Sequence, residues 1–419
     1  MKNIILVTAL FSIGLSQATS LAIYGIGEEI RDTDPASLAL GNSKFFSGNS
    51  KNISSGSPSS MWKSALTRFT IHTGMNYLNT SSFHQQFQHI LTHFSFTFPV
   101  GNKKVFGIGL QPAYRTNRLE IEEPLQYSAN ENGINTAYKE HYFIDGGISK
   151  LFLQYSWKAS SNISFGIQYS SLFGIQSLND KLYTHEVEID TIADGENVIS
   201  EIVDGENTYY IHSISIDSAN VKITHQYEGS QIVCEGRYVT FNHEFVARLG
   251  VNGTTRVKTE DNFSPTSESI SDAIISEIAF GYHYKKSDYL GAILEFHVIP
   301  PFNLPDEVAL FNTMPPHKNS FHFGTYYQLL NSKIGFWDYI NLRAGGYYKE
   351  LDFSGDKYSD YGVTIGIGLE YLANSQAFDI ALRLGKRESY ALQYQDEDYI
   401  SIHFGITTGE KWFMKRRRK

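Results

Sequence analysis

From residue 66 onward the chain is written in a period of two, with segments of about ten residues alternating apolar positions with polar or small ones. Between 361 and 371 one face carries Tyr361, Val363, Ile365, Ile367, Leu369 and Tyr371, and the other carries Gly362, Thr364, Gly366, Gly368 and Glu370. Phe69, Ile71, Met75 and Tyr77 oppose Thr70, His72, Gly74 and Asn76 in the same way. So do Ile163, Phe165, Ile167 and Tyr169 against Ser164, Gly166, Gln168 and Ser170, and Ile400, Ile402, Phe404 and Ile406 against Ser401, His403, Gly405 and Thr407. Fourteen such segments can be marked, at 66–78, 89–99, 103–116, 147–157, 162–175, 231–241, 244–256, 274–284, 289–299, 319–329, 338–349, 360–372, 377–386 and 398–408. The turns 100–102, 159–161, 285–288 and 373–376 are short, whereas the connections 117–146, 178–229, 257–273 and 300–318 are long.

Alternation alone also suits a soluble sandwich. An even strand number, short turns at one end and long loops at the other are instead what a bacterial membrane barrel requires. Tyr77, Trp157, Tyr169, Tyr284, Tyr361 and Tyr371 stand near strand ends, where the interfacial girdles of such a barrel lie. The expected fold is therefore all-β: a transmembrane antiparallel β-barrel of about fourteen strands. The N-terminus agrees with export. Lys2 precedes an apolar run at 4–15, and small residues offer cleavage after Ala18 or Ala22, which is the pattern of a signal peptide. That run is shorter than the roughly 18–20 residues of a spanning helix.

Composition adds exclusions. The 35 basic and 44 acidic residues leave a formal charge of −9, and the dense positive run is confined to 409–419, so no nucleic-acid partner is expected. Cys234 is the single cysteine and cannot form a disulfide within the chain. Of the −9, the connection 178–229 contributes eleven acids against Lys181 and Lys222. There Asp194-Gly195-Glu196-Asn197 recurs as Asp204-Gly205-Glu206-Asn207, a hairpin signal that predicts an outer β-ribbon bridged to lipopolysaccharide by divalent ions. The connection 300–318 holds five of the 11 prolines together with Phe302, Leu304, Val308, Leu310, Phe311 and Met314. An apolar loop of this kind either packs on its neighbours or collects a hydrophobic ligand at the mouth.

On the polar face of the strands lie His72, His93, His283, His297, His322 and His403, with Glu295, Glu370, Arg343 and Arg383. No spacing among them enforces a metal site, and they are expected to line a wet lumen. No Gly-x-Ser-x-Gly, His-Glu-x-x-His, phosphate loop or dinucleotide fingerprint occurs, so neither an enzyme nor a cofactor is expected. Residues 23–65 lack the period-two pattern and are rich in Gly and Ser, yet they carry Leu38, Leu40, Phe45 and Phe46. They read either as a periplasmic tail or as a plug. Pro112 falls inside the third strand segment, where it marks either a local break in the wall or the outer rim where pairing already ends.

This layout resembles the FadL/TodX-type outer-membrane transporters of fatty acids and aromatic hydrocarbons. The resemblance rests on a hatch-length segment before a fourteen-strand barrel and on the longest connection, 178–229, in the third outer position. Where that family has Asn-Pro-Ala at the end of its hatch, this chain reads Ser57-Pro58-Ser59, then Ser60-Met61-Trp62. The resemblance implies a hatch that includes Ser57, Pro58, Ser59 and Trp62, and a kinked third strand through which ligand leaves sideways, here at Pro112. The expected division is a signal peptide at 1–22, a hatch at 23–65, a barrel at 66–408 and a basic periplasmic tail at 409–419, in the bacterial outer membrane. The expected function is uptake of small hydrophobic molecules, with outer-membrane lipid around the wall. The alternatives are a non-transporting barrel that docks a protein at its outer loops, and a general diffusion porin.

Overall fold

A strand with lipid on one side and a polar lumen on the other must alternate, and the wall strands do so residue by residue. The structure, a computed structural model, describes residues 28–30, 34–48, 53–80, 86–115, 118–121, 126–129, 134–190, 200–204, 207–262, 266–271, 273–287, 289–300, 317–330, 337–353, 356–371, 376–389 and 396–410. The wall is built from β1 (Thr67–Thr80), β2 (Gln86–Pro99), β3 (Lys104–Arg115), β4 (Ile134–Lys158), β5 (Ile163–Asp190), β6 (Asn207–Val239) and β7 (His243–Asn252). It continues through β8 (Ile274–Lys285), β9 (Leu290–Ile299), β10 (His317–Leu330), β11 (Trp337–Phe353), β12 (Asp356–Tyr371), β13 (Gln376–Ser389) and β14 (Glu397–Glu410). Each pairs antiparallel with its chain neighbours, and β1 pairs with β14 from Thr67↔Glu410 to Thr80↔Glu397, which closes the barrel.

Along β7, Glu244, Val246, Arg248 and Gly250 are buried while Phe245, Ala247 and Leu249 are exposed, and β9 repeats the pattern. The exposed set across the wall is strongly apolar, including Leu110, Phe165, Phe280, Phe296 and Phe323, as a lipid-facing surface requires. At the short-turn end, Val100 donates to Lys104 O at 2.7 Å and Ala159 to Ile163 O at 2.9 Å, with Gly101 at φ +82° making the first of these turns.

At the opposite end, strand extends well beyond the ribbon expected within 178–229. β4, β5 and β6 run for 25, 28 and 33 residues, far beyond the roughly 9–11 that cross a bilayer. Their outer halves form a sheet extended by the strands Arg118–Ile121 and Gln126–Ala129 on β4, and by Ser200–Asp204 and Thr255–Asp261 on β6. The second Asp-Gly turn indeed closes a hairpin, with Asp204 opposite Asn207. Where β4 leaves the wall, Gly146 and Gly147 adopt φ of +115° and +147°, and a Cβ on Gly147 would collide with Tyr114 O.

Inside the barrel lie the short helix α1 (Pro35–Leu38) and a 3-10 helix at Pro58–Lys63. Asp34 caps α1 by accepting from Ser37 N at 2.7 Å, and its second oxygen takes Ser55 N at 2.9 Å. The largest apolar cluster joins Leu40, Phe45 and Phe46 to Val246, Ala279, Ile293 and Tyr326 of the wall, so the core sits in the lumen. The expected signal peptide, 1–22, and residues 411–419 of the expected tail lie outside the described residues.

Candidate functional site

Residues 34–64 meet the inner wall through a collar of buried charge. Glu295 accepts from Lys44 N at 2.8 Å, Phe45 N at 3.0 Å and the Ser43 hydroxyl. Glu235 accepts from the hydroxyls of Ser57 and Ser59 and from Ser59 N at 3.3 Å. Arg237 donates to Phe45 O at 3.0 Å and to Ser57 Oγ at 2.6 Å, and pairs with Glu244. Arg248 donates to Gly56 O at 2.6 Å and pairs with Glu277 at 2.9 Å, which also holds Lys44 Nζ at 2.8 Å. Lys63 reaches Glu244 at 3.4 Å, and burial lowers its ammonium to about 8 against the pull of that carboxylate. Four carboxylates thus face four cations, with His297 bridging Glu277 and Glu295 and His283 bridging Glu244 and Tyr326 OH. Phe45 stacks on His297 and Phe46 lies against His283, both with ring centroids 5.3 Å apart.

Across the lumen, Thr364 Oγ1 accepts from Gly41 N at 2.8 Å and donates to Ala39 O at 3.0 Å. His322 Nδ1 donates to Gly41 O at 2.7 Å, and Arg343 Nε to Ser47 O at 2.9 Å. Contact is close enough that the wall needs glycine. A Cβ on Gly345 would strike Gly41 N, and one on Gly166 would strike Ser59 N. The segment separates two cavities. One, of about 90 Å³, faces the outer end between Ile30, Ala113, Ile148, Leu172, Tyr227 and Ile299, with Lys44 among its walls. The other, of about 190 Å³, lies toward the short-turn end between Asp34, Arg68, His72, Arg343, Glu370 and Asp379.

The structure brings most of the expected lumen residues into this interior. His72, His283, His322, Arg343 and Arg383 are buried; Glu370 is half-buried and accepts from Asn341 at 2.9 Å. Ser57, Pro58 and Ser59 lie against β6 and β5, and Trp62 N donates to Ser156 Oγ at 3.1 Å on β4. Phe302, Leu304, Leu310, Phe311 and Met314 lie outside the described residues. Sequence reading overlooked Glu235, Arg237, Glu244, Arg248 and Glu277, although their alternation with aromatic or apolar neighbours was a usable signal.

Pro112 sits in β3 two residues past Leu110. β3 pairs with β4 all the way to Arg115↔Gly147, but with β2 only from Val105 to Leu110. Beyond Leu110 the wall carries a side-chain bridge, His93 Nδ1 to Gln111 Oε1 at 3.0 Å, and a bulge at Ala113. The freed edge of β3 takes the short strand Glu28–Glu29, paired as Glu28↔Arg115 and Glu29↔Tyr114, and Ile30 N donates to Ala113 O at 2.9 Å.

A family model, BamG, matches residues 1–419. The chain belongs to the BamG family. No curated protein matches it. Among solved structures, this BamG-family barrel is similar to the CymD monoaromatic hydrocarbon channel (10% identity, 92% of this chain and 99% of that one, TM-score 0.51). It is also similar to a Pseudomonas aeruginosa FadL homologue (9% identity, 91% and 98%, TM-score 0.53) and to the P. putida toluene transporter TodX (12% identity, 92% and 100%, TM-score 0.50). At these identities the likeness is one of fold, and the shared fold is that of an outer-membrane barrel. The BamG match sets this chain apart from the FadL/TodX family that its layout resembles.

Proposed function

We propose that the chain works in the bacterial outer membrane as an uptake barrel for small hydrophobic molecules, with residues 34–64 serving as a hatch and the exit lying through the wall beside Pro112. The observation that carries this reading is the end of the β2–β3 ladder at Leu110, two residues before a proline that cannot donate to a ladder. Apolar residues of the outer cavity, Ala113, Ile148, Leu172 and Ile299, stand directly behind that opening. The structurally similar CymD and TodX are described as a monoaromatic hydrocarbon channel and a toluene transporter, which supplies the ligand class to try first. Cells carrying the chain should take up labelled toluene or a long-chain fatty acid faster than cells without it; equal rates would overturn the reading.

A second reading is a barrel that docks a protein partner on its outer face. It is favoured by the sheet that β4, β5 and β6 build beyond the wall, for which passage of a small molecule gives no reason. Shortening that sheet at the Asp204–Asn207 hairpin should leave flux intact under the uptake reading and release the partner under the docking one.

A further inference from the structure

The cavity of about 190 Å³ toward the short-turn end lies across residues 34–64 from the outer cavity, and the uptake reading gives it no task. Most of the charge around it is already engaged. Asp34 accepts from Ser37 N and Ser55 N, and Asp379 pairs with Arg343 at 2.8 Å. Two charges are left. Among the described residues, Arg68 makes no hydrogen bond or ion pair, and its Nε is sealed from solvent. Glu370 accepts from Asn341 with Oε1, and Oε2 takes no bond. Each of the two feels the other's charge without touching it.

The register accounts for the gap between them. Glu370 of β12 stands opposite Ala377 of β13, Ala377 opposite Thr407 of β14, and Thr407 opposite Thr70 of β1, with Arg68 two residues nearer the short turns. β12 and β1 are thus three strand spacings apart, about 14 Å. Ala377 and Thr407 are short and make a floor between the charges rather than a bridge, while Asp34, Ala36 and Ser55 form the roof. On the Arg68 side His72, four residues along the same strand face and 3% exposed, makes no hydrogen bond either. A cation and a carboxylate held apart in a partly desolvated cavity each carry an uncompensated cost.

We infer that this cavity binds a small zwitterion, with its carboxylate on the Arg68 guanidinium and its ammonium on Glu370. A guanidinium fork suits a carboxylate, and the unbonded His72 ring supplies a further donor at that end. A simple anion meets Glu370 and Asp34, and a simple cation meets Arg68 and Arg343, so a molecule carrying both charges complements the cavity better than either. Arg68 and Glu370 are half-buried, which leaves the cavity open to entry from the short-turn end. The site is independent of the uptake reading and stands whether or not hydrocarbon crosses the wall.

The test titrates purified full-length protein, in nanodiscs of anionic lipid, with glycine, β-alanine and γ-aminobutyrate, whose two charges stand progressively farther apart. Acetate and methylammonium, with one charge each, are run beside them, and binding is read by saturation-transfer NMR. At least one zwitterion should bind about tenfold tighter than both single-charge probes. Arg68→Gln and Glu370→Gln should each bring it down to their level. A single-charge probe that binds as tightly as the best zwitterion would overturn the proposal, as would silence from every probe or variants that bind like the parent. Because either substitution can disturb the wall, the site is also located in the unsubstituted protein by hydrogen exchange. The Ser37 and Leu38 amides, which donate to Asp34 in the roof, should exchange about tenfold more slowly at saturating zwitterion. Exchange that ignores the ligand would overturn it.

Discussion

Glu295 is a carboxylate whose oxygens are all engaged, by Ser43, Lys44 N and Phe45 N from the lumen segment and by His297 from its own strand. Removing such a group leaves buried donors and charge without compensation, at a cost of about 3–5 kcal/mol. Glu295→Ala is therefore expected to loosen residues 43–45 and to make the 34–64 segment cleavable by protease in folded barrels, where the parent resists. Gly345→Val should have the same effect without altering charge, since its Cβ strikes Gly41 N. Lys63 adds a pH dependence. Its ammonium is lowered from 10.5 to about 8 by burial, so releasing the segment takes up a proton between those values. Attachment should strengthen as pH rises from about 8 toward 10.5, and Lys63→Met should flatten that rise in the same protease assay. Glu295, Arg343, His283 and His322 were legible in the sequence because a polar residue in an alternating strand has to face the lumen. What they bind was not legible, since partners some 250 to 300 positions away leave no local trace.

At the level of single elements, all fourteen wall strands were readable from period two, and their ends at the short turns were marked by Gly, Ser and Asn. The outer ends of β4, β5 and β6 were not. Alternation there comes in short stretches, such as Val187 with Ile189 and Val221 with Ile223, broken by polar runs such as Asn179-Asp180-Lys181 and Thr184-His185-Glu186, so it gave no continuous strand signal. β3 is the reverse case, because one residue type, Pro112, flagged the place where pairing to β2 ceases. Pro112→Val restores an N–H and a strand former. It is expected to extend the β2–β3 ladder and slow hydrocarbon flux several-fold, measured with toluene in cells carrying the chain. Unchanged flux would remove the lateral exit while leaving the barrel itself untouched.

For the whole molecule, the decisive property is whether the lumen conducts. With residues 34–64 held by the charge collar between two separate cavities, the intact protein should be silent in planar bilayers, and a variant lacking 23–65 should show large steady conductance. Large conductance in both would make the chain a diffusion porin. The membership in the BamG family and the FadL-like fold are compatible because fold and function are carried at different levels: the wall is set by strand count, the task by what fills and covers it.

The pairing of β1 with β14 also dictates a chronology. The first and last wall strands lie at opposite ends of the sequence, so the cylinder cannot shut until the final strand has been delivered. The collar residues come from β6 to β9, in mid-chain, and are present well before that moment. Residues 34–64 can therefore fasten to a half-built, still open sheet and be enclosed when it rolls up, rather than threading into a finished tube. On this account the lumen segment doubles as an internal template, and chains bearing Glu295→Ala should reach the heat-resistant, closed form more slowly than the parent.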